Sequence, residues 1–162
     1  MQKIGVMFVC LGNICRSPMA EAILLNKVKN TDLQNRFNIE SCGTANYHVG
    51  ELPDRRTLAA LKRHNVPIDH FAQQLKSHHF NEFNYLIMMD DSNLQNALEV
   101  EPTGHKSNVF LMRDFDEEEK GSGVTDPWFG GEEGFEECYQ VLSRSCESFL
   151  QFLVEKHNLK GN

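Results

Sequence analysis

Two spacings alternate along the chain. Short, nearly unbroken apolar runs are separated by stretches in which apolar residues recur at helical intervals. "KIGVMFVC" is apolar up to Cys10 and predicts a strand covered on both faces. "FNIESCGT", interrupted at Gly43, predicts a second strand; "FNYLIMMD" and "KSNVFLMRDF" predict a third and a fourth. "SPMAEAILLNKVK" predicts a helix, with Ser17 as N-cap, Pro18 at the first helical position and Glu21 in the first turn. "PDRRTLAALKRHN" predicts another, with Leu58, Ala60 and Leu61 turned inward, and "DSNLQNALEV" a third. Residues 113–134 read as a long, acidic, Gly-rich loop whose Asp114–Glu119 run faces solvent. A closing helix follows, with Phe135, Cys138, Leu142, Cys146, Phe149 and Leu153 on one face.

Strand–helix alternation implies an α/β fold of three layers, a parallel sheet with helices on both faces. The 162 residues suit one domain, 1–162. In such sheets ligands bind beyond the carboxyl ends of the strands. Cys10 stands at such an end, and the 113–134 loop should rise on the same edge.

A formal net charge of −7 argues against nucleic acid or an anionic membrane as partner. No apolar run reaches the ~18 residues of a membrane span, and the short Ile4–Leu11 stretch is followed by no cleavage pattern of a signal peptide. A cytoplasmic, monomeric protein is expected. The five cysteines are odd in number and irregularly spaced, which points to free thiols rather than a disulfide framework. There is no C-x-x-C pair. His78 and His79 are adjacent, and adjacent helical residues point apart, so no metal site is expected there.

The chemistry concentrates in "VCLGNICRSP". A tight loop running into a helix turns backbone N–H groups inward, and with the helix dipole such a nest holds phosphate. Gly12 and Asn13 accept the left-handed angles a nest needs, Leu11, Ile14 and Cys15 complete its wall, and Arg16 is placed to fork onto phosphate oxygens. The same field favours an ionised Cys10, toward which Ser17 can donate its hydroxyl. A nucleophile aimed at an anion receptor is an arrangement for covalent phosphoryl transfer. Asp126 in "TDPWFGG", stiffened by Pro127, is the candidate proton donor, or else only a turn former. Trp128 and Phe129 on one side and Tyr47 on the other would wall a slot suited to phosphotyrosine; Trp128 as core packing is the alternative.

"VCLGNICRSP", a distant Asp-Pro, "YLIMMDDSNL" and "HNVPIDH" together resemble the low-molecular-weight protein-tyrosine phosphatases over almost the whole chain. The resemblance implies a four-stranded parallel sheet of flavodoxin-like order 2-1-3-4 and no cofactor or metal. It implies Cys10 as nucleophile, Arg16 as phosphate clamp and Asp126 as general acid and then base, acting on a phosphotyrosine protein. It also implies a bracing network on Asn13, Ser17, Ser41 and His70, supporting roles for Asp54 and Asp90, and a protective Cys10–Cys15 redox pair. Cys15 packing under the loop and His70 as an ordinary hydrogen-bonded histidine stand beside those roles. Trp128 and Phe129 replace the tyrosines that many members carry after Asp-Pro, and Cys42 replaces a small residue. Two rival functions remain: an arsenate reductase, which needs further redox cysteines, and a non-catalytic phosphate or phosphopeptide module.

Overall fold

A computed structural model of the protein describes residues 2–160. Four parallel strands, β1 (Ile4–Cys10), β2 (Phe37–Gly43), β3 (Tyr85–Met88) and β4 (Asn108–Leu111), form one sheet in the order β2-β1-β3-β4. The order agrees with the expectation from sequence. Every residue of β1 is buried, because helices cover both faces of this central strand. Its side chains alternate: Val6, Phe8 and Cys10 enter one core layer, Met7 and Val9 the other.

The first layer is closed by α1 (Arg16–Asn30), α2 (Arg55–Arg63) and α5 (Glu132–Lys156), the second by α3 (His79–Glu82) and α4 (Asp91–Leu98). All six α5 residues expected to face inward are buried. Phe149 meets Phe8 edge-on at 6.3 Å, and truncating such a core ring costs about 3–5 kcal/mol.

Several local expectations are corrected. Helix α1 starts at Arg16, one residue before the proposed cap, so Ser17 lies inside the first turn and caps nothing; its hydroxyl turns to Cys10 instead. Glu21 lies beyond the first turn and is buried, hydrogen-bonded away from the helix end. In α2 the buried stripe is Thr57, Ala60 and Leu61, at i, i+3 and i+4, which leaves Leu58 half-buried. The acidic run is not wholly solvated. Asp116 is fully buried and accepts from Arg113 Nε at 2.9 Å and Arg144 Nε at 2.9 Å. Burial opposes its charge, but hydrogen bonds from Arg144, the Glu118 N–H and Arg113 outweigh that and pull its pKa down to about 2. This knot ties the long loop to α5.

Strand β1 leads through α1 to β2 on one side, and the chain then crosses to β3 on the other. The carboxyl end of β1 is therefore the point where the winding reverses, where a crevice opens.

Candidate active site

The loop from Cys10 to Arg16 closes over the end of β1 and is buried except at Leu11 and Gly12. Asn13 takes φ 60°, in the left-handed region that asparagine tolerates, and this turn brings its N–H to 3.3 Å from Cys10 Sγ. Gly12, expected to share that conformation, does not. An added Cβ there would lie 3.0 Å from His48 Cδ2, so a larger residue would have to displace the His48 ring slightly. The N–H groups of Gly12, Ile14 and Cys15 meet no acceptor among the described residues, and all three residues line the pocket. Three donors beside one sulfur at a helix N-terminus make an oxyanion receptor.

Side chains brace this loop from below. Asn13 Nδ2 donates to Ser17 Oγ at 2.8 Å and to Ser41 Oγ at 2.9 Å. With both oxygens supplied from Asn13, Ser41 is left to donate to Glu21 Oε1, at 2.6 Å, and Ser17 stands 2.9 Å from Cys10 Sγ. Asn13 Oδ1 accepts from the Gln73 N–H at 2.9 Å and lies 3.0 Å from His70 Nε2, while His70 Nδ1 lies 3.1 Å from Glu21 Oε1. An amide oxygen can only accept, so His70 donates to it from Nε2. None of the network's polar atoms is both buried and without a partner, which in a buried setting makes the loop rigid.

Arg16 is 3% exposed. Its Nη1 donates to Asp90 Oδ2 at 2.6 Å and to the Val124 carbonyl at 3.0 Å; its Nη2 lies 3.6 Å from Asp126 Oδ2. Burial opposes the guanidinium charge, but the negative charge it meets at Cys10, Asp90 and Asp126 outweighs that and raises the pKa. Asp90 does two tasks from the end of β3: its Oδ1 caps α4 through the Asn93 N–H at 2.7 Å while Oδ2 orients Arg16.

Asp126 N-caps a 3-10 turn, Pro127–Phe129, its Oδ1 accepting the Trp128 N–H at 3.1 Å. Cys10, Arg16 and Asp126 thus border one pocket of about 230 Å³, with Leu11, Ile14, Tyr47, His48, Trp128 and Phe129 on its walls. Trp128 is part of that wall rather than of the core, 6.0 Å from the His48 ring. Phe129 is 94% exposed and Tyr47 69%, so both stand at the mouth.

All five cysteines are free. Burial, the Asp54 charge and the Cys10 charge push Cys15 up to about 12, so it stays a thiol beside Cys10. Burial also raises Cys42, Cys138 and Cys146, which sit in the core as thiols. His78 and His79, expected to diverge, converge with Glu82 and stand 4.3 Å apart. His78 sits at the helix cap and reaches Glu82, while His79 Nδ1 accepts the Lys76 N–H, which leaves the proton on Nε2 and no lone pair toward a ligand.

A model of the family "Low molecular weight phosphotyrosine protein phosphatase" matches residues 5–159. The chain belongs to that family. It is 45% identical over 152 residues to the Saccharomyces cerevisiae low molecular weight phosphotyrosine protein phosphatase, covering 92% of this chain and 94% of that one. A crystal structure of a protein tyrosine phosphatase from Entamoeba histolytica superposes with a TM-score of 0.90 at 35% identity, covering 97% of this chain and 100% of that one. A crystal structure of DARP, the Drosophila arginine phosphatase, superposes with a TM-score of 0.84 at 33% identity, covering 91% of this chain and 96% of that one. This is an enzyme of the cysteine-based phosphatase class. No helix among the described residues is long and apolar enough to cross a membrane.

Four contributors escaped the sequence reading. A Cβ on Gly43 would lie 2.6 Å from the Leu11 carbonyl, so this glycine lets β2 end against the phosphate loop. A glycine inside a strand signals such close approach, and here it passed for a simple break. Glu21 reads locally as a helix-dipole partner, while Gln73 and Arg56 carry no local signal, because the partners of all three are distant in sequence.

Proposed function

We propose that the enzyme, acting as one domain over 1–162, hydrolyses phosphotyrosine in proteins, and small aryl phosphates, in two displacements at Cys10. The thiolate attacks phosphorus, the S–P bond forms, and the P–O bond to the phenol breaks as Asp126 delivers its proton to the leaving oxygen. Water then attacks the phosphocysteine, Asp126 accepts its proton, the S–P bond breaks and phosphate departs. Throughout, the loop N–H groups and the free edge of Arg16 hold the three equatorial oxygens. The reading rests on one observation: a sulfur hydrogen-bonded by Asn13 N–H shares a pocket with a buried Arg16 and, 3.6 Å beyond it, Asp126.

The walls favour an aromatic ester. Leu11, Ile14, Trp128 and Phe129 offer faces to a phenyl ring, and Asp126 is the only carboxylate on the lining to meet a guanidinium. The protein should therefore hydrolyse phosphotyrosine peptides and para-nitrophenyl phosphate in the presence of a chelator, and phosphoarginine far more slowly. Cys10→Ser should lower turnover by about 10⁴-fold or more while still binding phosphotyrosine peptide. Turnover that survives Cys10→Ser would refute the covalent route; faster turnover of phosphoarginine would refute the substrate class.

A further inference from the structure

Arg56, outside the pocket, joins the two loops that form it. Its Nη1 donates to the carbonyls of Trp128 and Gly130, each at 3.1 Å. On the opposite side its Nε and Nη2 fork onto Asp54, at 3.0 and 3.1 Å. Asp54 caps α2 through the Arg56 N–H at 2.8 Å, and its own N–H donates to the Ile14 carbonyl at 2.9 Å. The guanidinium carbon also lies 4.5 Å from the centre of the Phe135 ring and 5.4 Å from that of Trp128. One unbroken path thus runs from the phosphate loop through Asp54 and Arg56 to the backbone on which Asp126 is mounted. Asp126 sits two residues before the first carbonyl held, and its carboxylate accepts the N–H of that same Trp128.

We infer that Arg56 is a positioning residue for the proton-transfer step, fixing the Asp126 loop in register with the phosphate loop through the Trp128 and Gly130 carbonyls. The inference rests on the phosphatase reading above. Two features of the geometry carry it. A planar fork can serve a carboxylate on one edge and two carbonyls on the other, a pattern an ammonium cannot reproduce. The segment held is otherwise poorly anchored: Phe129, Gly130 and Gly131 are exposed, and Gly130 N–H bonds only back to Pro127. A misplacement of about 1 Å in a catalytic group is enough to lose most of its contribution.

The test separates proton delivery from phosphate binding by leaving group. Phenyl phosphate expels a basic phenolate and needs the acid; 2,4-dinitrophenyl phosphate expels a stable anion and hardly does. Arg56→Ala should lower kcat/KM about tenfold on phenyl phosphate and no more than about twofold on the dinitrophenyl ester. In an Asp126→Ala background the same substitution should cost less than about twofold on either ester, since the group it positions is gone. Arg56→Lys should keep most of the alanine loss, and thermal melts of all variants establish that they are folded. Equal losses on the two esters, an undiminished loss in the Asp126→Ala background, or full activity in Arg56→Lys would each overturn the inference. Turnover that depends on Cys10 and Asp126 but ignores Arg56→Ala would overturn it alone. A wild-type protein that hydrolyses neither ester would overturn the phosphatase reading and this inference with it.

Discussion

The two loops that meet over Cys10 are held by different means. The phosphate loop is buried and cross-braced by side chains: Asn13 alone reaches Ser17, Ser41, His70 and Gln73, drawn from α1, β2 and the segment after α2. The loop carrying Asp126 is exposed and is fastened by its backbone, at the Val124 N–H to the Met89 carbonyl and at the two carbonyls on Arg56. The difference follows the chemistry each must do. Oxygens of a dianion are best met by donors already in place, since reorganising dipoles during reaction is costly. A proton donor has to admit the substrate, reach the leaving oxygen and then turn to water, which a mount with fewer fixed contacts permits. The opening and the receptor therefore differ in stiffness although they share one pocket.

Substitutions can break or sharpen that contrast, in descending order of expected effect. On the exposed side, Asp126→Ala should lower kcat/KM for phenyl phosphate by about 100-fold or more, and the fold should stay intact because the residue is half exposed. A melting curve beside a leaving-group series checks both halves, and an Asp126→Ala protein as active as wild type would remove the acid from this loop. On the braced side, Gly43→Ala has to push the Leu11–Asn13 backbone, where the new Cβ would come within 2.6–3.1 Å of main-chain atoms. It should reduce kcat by about tenfold and stability by about 1–3 kcal/mol, the usual cost of overpacking. Unaltered kcat with lowered stability would show the receptor to be more compliant than its hydrogen bonds indicate. At the mouth, Phe129→Ala removes a ring that is 94% exposed. It should raise KM for phosphotyrosine peptides about two- to threefold with kcat unchanged, because so exposed a side chain contributes only a small part of its full burial energy, ~1.5–3 kcal/mol.

Much of the fold was legible because it follows from local period. The continuous apolar run of β1 and the helical stripe of Phe135, Cys138, Leu142, Cys146, Phe149 and Leu153 appear in the structure as read. The phosphate loop was legible for a related reason. Its nucleophile, its left-handed asparagine and its clamp lie within seven consecutive residues, so short-range geometry alone brings them together. The helix-end roles read for Ser17 and Glu21 do not form, because such a reading weighs only the helix, whereas Cys10, as expected for Ser17, and Ser41 and His70 for Glu21 are the partners they meet. Asp116 departs from the solvated face expected of an acidic run because the adjoining Arg113 and Arg144 of α5 together enclose it.

What the sequence determined by itself was the alternation of strands and helices and the kind of chemistry carried by "CLGNICR", since both depend on neighbours along the chain. Only the tertiary structure decided that Asp90 would orient Arg16, that Gly43 would make room for the loop, and that Arg56 would reach across to the Asp126 segment. Those contacts join residues tens of positions apart. Their energy depends on distance in space, which spacing along the chain does not encode until the sheet has brought the strand ends together.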